Sequence, residues 1–175
     1  DAVLFMGKLL EDDIPAVRAA FKKAVPTMKS PAVAGWMRTE GVRHDSRDVR
    51  LVAIDYMSKN HHPDDKRPLL ALLKSKDLEL RRAATAALVH HAGAEVDKAL
   101  DKMLSARSET VAAEALRTKV LRAKKSPEAL EVCRRVAKRS RSWKMRIVAI
   151  ELLSMPGAEK WADAFIENLR HKSAQ

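Results

Sequence analysis

Aromatic residues are scarce in this chain: Phe, Trp and Tyr make up 4% of its 175 residues, and glycine occurs only five times. Strands draw on aromatic and β-branched side chains, and tight hairpins on glycine, so both shortages argue against an all-β fold. The lone Cys133 excludes an internal disulfide and removes the paired cysteines on which many structural zinc sites are built. No apolar run reaches the roughly 18 residues that a membrane-spanning helix needs. Neither HExxH, GxSxG, GxGxxG nor a P-loop pattern occurs, and five scattered glycines cannot cradle a phosphate. The chain is therefore read as non-catalytic and without a cofactor.

What remains is a helix-forming composition. Hydrophobic residues account for 46% and charged residues for 33%, dominated by Ala, Leu, Lys, Arg and Glu. The length suits one domain spanning 1–175. A cytoplasmic setting is the expectation. An exported or periplasmic one is the alternative, because the chain starts at Asp1 rather than at Met.

Five segments align: "AVRAAFKKAV" from Ala16, "DVRLVAIDYM" from Asp48, "ELRRAATAAL" from Glu79, "TVAAEALRTK" from Thr110 and "KMRIVAIELL" from Lys144. Val17, Val49, Leu80, Val111 and Met145 then share a register, at spacings of 32, 31, 31 and 34 residues. Three positions before the last four stand Ser46, Asp77, Ser108 and Ser142. Each is a favoured helix N-cap, whose side-chain oxygen accepts an otherwise unpaired backbone N–H. In the first copy Ile14 occupies that place, with Asp13 one residue earlier.

A second helical pattern precedes each of these helices, most clearly "DDKRPLLALLKSK" before Asp77. Pro26, Pro31, Pro63, Gly93, Ser126–Pro127 and Pro156–Gly157 punctuate the pairs. A single helix pair of this kind cannot bury its apolar face without neighbours. The expected fold is therefore all-α, an α-solenoid of about five stacked antiparallel helix pairs. The units fall near 1–28, 29–62, 63–92, 93–125 and 126–155, with a capping helix over 156–172 that carries Trp161, Phe165 and Leu169.

The stretch "LLALLKSKDLELRRAATAAL" (Leu69–Leu88) resembles the HEAT repeat family, particularly its short variant found in phycobilin-lyase-like proteins. "LLEDDIPAVRAA" (Leu9–Ala20) is similar, and "HDSRDVRLVAI" (His44–Ile54) partly so. The fourth copy departs, with Ser108 for the Asp and Ala112 for the Arg, and the fifth keeps only Arg146. The resemblance implies a helical superhelix in which Asp13, Asp77, Arg18, Arg50, Arg81 and Arg146 form a structural turn ladder. A phosphate or carboxylate clamp is the functional alternative for these arginines. Such a motif speaks for fold and is nearly silent on function.

Charge is the feature that points to a partner. The chain carries +11, and the 30 residues from Arg117 to Arg146 hold twelve Lys or Arg against Glu128 and Glu131. Nearly all the excess lies there. A field of one sign steers acidic protein segments or polyanions. The candidate partner-binding residues are Arg122, Lys125, Arg134, Arg135, Lys138, Arg139, Arg141, Trp143 and Lys144. The function expected is a scaffold that binds an acidic protein or peptide segment through this surface. The alternative is a nucleic-acid-binding protein, similar in architecture to HEAT-like DNA glycosylases but without an evident catalytic motif. Trp143, within "KRSRSWKMR", is either a stacking ring in a basic patch or a residue packed on the preceding helix pair.

Two doubled histidines, His61–His62 and His90–His91, suggest a metal site at first sight. Adjacent helical residues do not share a face, so each pair supplies at most one well-placed ligand. Both pairs instead fall in the turn leaving the second helix of a unit, the turn that Lys124–Lys125 occupies later. They are read as repeat punctuation, with no metal assigned.

Overall fold

The computed structural model describes residues 5–156, and every regular element among them is helical. The ten α-helices there are α1 (Met6–Leu10), α2 (Pro15–Ala24), α3 (Pro31–Thr39), α4 (Arg47–Asn60), α5 (Lys66–Leu72), α6 (Leu78–Ala87), α7 (Ala94–Leu104), α8 (Glu109–Arg122), α9 (Pro127–Arg139) and α10 (Trp143–Leu153). The chain forms two compact units, Asp1–Ala92 and Gly93–Gln175. The capping helix expected over 156–172, with its stripe of Trp161, Phe165 and Leu169, lies outside the described residues apart from Pro156.

Helix starts follow the caps. Asp77 Oδ1 accepts the backbone N–H groups of Glu79 and Leu80 at 2.8 and 3.1 Å. Those groups hold its carboxyl below the usual value, helped by Arg47. Ser108, Ser126 and Ser142 accept from Val111, Ala129 and Met145. Each of these bonds satisfies a donor that the first helical turn leaves orphaned. At α4, Ser46 is the N-cap residue, but its hydroxyl accepts no bond; the ring of His44 instead accepts the Ser46 N–H. In the first copy the carboxylate of Asp12, not Asp13, accepts the Ile14 N–H.

Two helix ends, those of α4 and α8, use left-handed residues. His61 closes α4 at φ 51°, and Lys124 and Lys125 follow α8 at φ 47° and 55°. After α8 the Lys125 N–H reaches the Val120 carbonyl and the Lys124 N–H reaches that of Leu121. That is the Schellman pattern, in which glycine is the usual residue. Gly93 stands just before α7 at φ 128°, where an added Cβ would lie 2.8 Å from a Glu95 carboxylate oxygen.

In the first unit α4 packs on α3 and α6, and α6 on α5. Met37, Val49, Met57, Leu69 and Leu80 are fully buried there. In the second unit α8 packs on α7 and α10, and α9 on α10, around Leu116, Leu130, Cys133, Leu152 and Leu153. The aligned Val49, Leu80 and Val111 have no exposed surface, while Val17 and Met145 are half-buried. One register thus points the same side chain inward in successive helices.

Candidate functional site

The basic stretch of the second unit divides into two groups. Along α8, Arg117 bonds Glu151 of α10 at 2.6 Å, while Lys119 and Arg122 pair with Asp101 and Asp97 of α7. These cations tie α8 to its neighbours, and the Arg122 side chain is only 13% exposed. Arg134 forms a local pair with Glu131, and Lys125 donates to the Pro156 carbonyl. A carboxylate thus offsets Arg117, Lys119, Arg122 and Arg134, whereas Lys125, bonded to a neutral carbonyl, keeps its charge.

The second group gathers at the end of α9 and the start of α10. Arg135, Lys138, Arg139, Arg141 and Arg146 are exposed and form no ion pair or side-chain hydrogen bond among the described residues. Lys144 bonds the Thr110 hydroxyl, and its Nζ lies 5.6 Å from the centre of the Trp143 ring. That ring is 57% exposed, so it does not pack into the unit. Ile147 and Ile150 are also exposed, at the i+4 and i+7 positions from Trp143. The three form an apolar stripe on the side of α10 opposite buried Ala149, Leu152 and Leu153. Residue-by-residue reading of the sequence finds Trp143 and misses Ile147 and Ile150, because an isoleucine in a helical apolar pattern is normally inward-facing. The signal was that α10 is apolar nearly all round, which marks a helix expected to be covered on both sides.

The histidines and the arginine ladder lie mainly in the first unit. The rings of His61 and His90 meet with their centres 3.7 Å apart. Burial lowers the His90 pKa, and the nearby His61 charge lowers it further. His62 instead caps the turn at Pro63–Asp65, its Nδ1 accepting the Asp64 N–H. Among the described residues no three His, Cys, Asp or Glu side chains come together as a metal set.

Arg18 donates to the carbonyls of Asp12 and Asp13, and Arg81 donates to that of Ser75 at 2.7 Å. Arg50 and Arg146 form no such bond among the described residues. The Arg50 Nε is buried without a hydrogen-bond partner. Its side chain lines a recess of about 950 Å³ in the first unit, together with Arg38, Arg43, Arg67 and Lys74.

No family model matches the chain, and no curated protein matches it. Among solved structures it is similar to an engineered protein whose crystal structure was determined by the Northeast Structural Genomics Consortium. The two are 16% identical over 98% of this chain and 97% of that one, with a TM-score of 0.51. Likeness at that identity concerns the all-helical fold alone. Among the described residues no helix is long and apolar enough to cross a membrane.

Proposed function

We propose that the chain is a non-catalytic, HEAT-like α-solenoid that docks an acidic protein segment on the face formed by α9 and α10. The observation that carries this is the Trp143–Ile147–Ile150 stripe, with the unengaged Arg135, Lys138, Arg139, Arg141 and Arg146 on the same two helices and their turn. An amphipathic acidic segment fits both halves of that surface. Its apolar face takes the stripe, and its carboxylates meet the cations. The solenoid reading draws support from second helices that pack on one another within a unit, α4 on α6 and α8 on α10. The arginines at positions 18 and 81 support it too, since each ties a turn at the same offset from its helix start.

Nucleic acid is the competing occupant, because Trp143 beneath Lys144 is a stacking platform flanked by positive charge. Ile147 and Ile150 favour the protein segment, since they give a sugar–phosphate backbone nothing to bond. The two readings separate in one experiment. A synthetic amphipathic Leu/Glu helix and a single-stranded DNA oligonucleotide are titrated across a salt series against the wild type, R135Q/K138Q/R139Q and I147S/I150S. The docking reading expects peptide affinity to fall in both variants. DNA affinity that exceeds peptide affinity, drops steeply with salt and ignores I147S/I150S would transfer the surface to nucleic acid.

A further inference from the structure

Arg18, Arg50 and Arg81 occupy one position of the repeat, and two of them do the same job. Arg18 reaches the carbonyl six residues earlier, at Asp12, and Arg81 reaches the carbonyl six residues earlier, at Ser75. The corresponding carbonyl for Arg50 belongs to His44, and no bond to it forms. Instead the guanidinium lines the recess, with its Nε buried and without a partner. Arg50 is partly buried, and an Nε–H withdrawn from water without an acceptor costs folding free energy.

The company it keeps explains the position. Arg43 comes from the turn between α3 and α4, Arg67 from α5, and Lys74 from the turn after α5. None of the three has an ion-pair or side-chain hydrogen-bond partner among the described residues. Arg38 also lines the recess, but Asp65 neutralises it. Asp64 is the acidic residue in the lining, and its side chain is 77% exposed. Three arginines and a lysine therefore face one exposed carboxylate. Val42, Ala71 and Leu72 supply an apolar part of the wall. A site of this build asks for a ligand with at least two negative charges, oxygens that can accept several forked N–H groups, and some apolar body. A phosphate monoester or diphosphate has that chemistry.

We propose that the recess around Arg50 binds a phosphate-bearing small molecule, with Arg50, Arg43 and Arg67 as its phosphate ligands. The site belongs wholly to the first unit and is independent of the docking face on α9 and α10. In this assignment Arg50 serves the ligand rather than the turn, which is why it leaves the role kept by Arg18 and Arg81.

Inorganic pyrophosphate is the probe, titrated by calorimetry and by ³¹P line broadening at constant ionic strength, with citrate as a carboxylate control. The wild type should bind pyrophosphate, and R67Q, at the exposed edge of the recess, should weaken binding by about tenfold or more. R50M should weaken it likewise, and its ligand-free melting temperature should equal or exceed that of the wild type, since no protein bond is lost. R135Q/K138Q/R139Q should bind as the wild type does. The proposal is overturned by the absence of binding at millimolar pyrophosphate, by equal affinity in R67Q and wild type, or by loss of binding in the triple variant. Citrate binding tighter than pyrophosphate, or a lower ligand-free melting temperature in R50M, would overturn it as well.

Discussion

Arg38 on α3 donates its Nε–H to the carboxylate of Asp65, which is entirely withdrawn from solvent, across 27 residues of sequence. The second carboxylate oxygen accepts the His62 backbone N–H at 2.9 Å, so one buried acid fastens both α3 and the turn before α5. Both Asp64 and Asp65 stand in the first turn after His62, where helix-end carboxylates are favoured, but that local role does not disclose the tie from Asp65 to Arg38. Nothing in either segment alone signals the partner.

Replacing Asp65 by Ala leaves the Arg38 guanidinium without its counter-charge in a largely buried site. The expected cost is about 3–5 kcal/mol, the range for breaking one side of a buried pair. R38M/D65L, which removes both charges, should recover much of that loss. Urea unfolding of both variants checks the prediction, and a single variant within about 1 kcal/mol of wild type would reject the pair as a structural tie.

The histidine contact makes stability depend on pH. Burial, followed by the His61 charge, lowers the His90 pKa, and burial also lowers that of His91 against the opposing pull of Asp65. The unfolded chain then binds more protons than the folded one below about pH 6.5, the ordinary histidine value. Stability from the neutral rings is complete above that pH and is lost as pH falls through the lowered folded values. Asp48 and Asp77 are also lowered, by Lys22 and by backbone N–H groups, so their contribution disappears only further down, below about pH 4. Urea midpoints at pH 7.5, 6.0 and 5.0 should decline in order, and H90Q should flatten that decline. An unchanged slope in H90Q would remove His90 as its source.

Lys124 holds the position after α8 where the backbone is left-handed and glycine is favoured. A side chain there costs about 1–2 kcal/mol, partly offset in a glycine variant by the greater freedom of the unfolded chain. Lys124→Gly should therefore raise stability by about 0.5–1 kcal/mol, whereas the same change at Arg135, inside α9, should lower it by about 1 kcal/mol. Thermal melts of the two variants test this, and a destabilised Lys124→Gly would mean the lysine side chain contributes more than its backbone strain.

The repeat was legible because its signals are local. An apolar residue three positions after a Ser or Asp at the N-cap position appears at every copy after the first, and Val49, Leu80 and Val111 are buried as that register expects. Function-bearing differences were less legible because they depend on what neighbouring helices bring. Arg117, Lys119 and Arg122 count as free charge in the sequence, yet Glu151, Asp101 and Asp97 arrive from other helices to meet them. Arg50 and Arg81 share one motif, and only the fold distinguishes the arginine that ties a turn from the one that lines a recess. Spacing puts His61 and His90 in equivalent turns of the repeat, but ring contact depends on backbone detail that spacing does not carry.

Cys133 is fully buried at the centre of the second unit, and burial pushes its thiol pKa up to about 11. Very little of it is thiolate at neutral pH, and a soluble labelling reagent has no route to the sulfur while the helices stay closed. As the only cysteine in the chain, it becomes reactive when the helices around it in the second unit open. Where labelling outpaces reclosing, the rate of its modification therefore clocks the opening of the helices around it, without any engineered label.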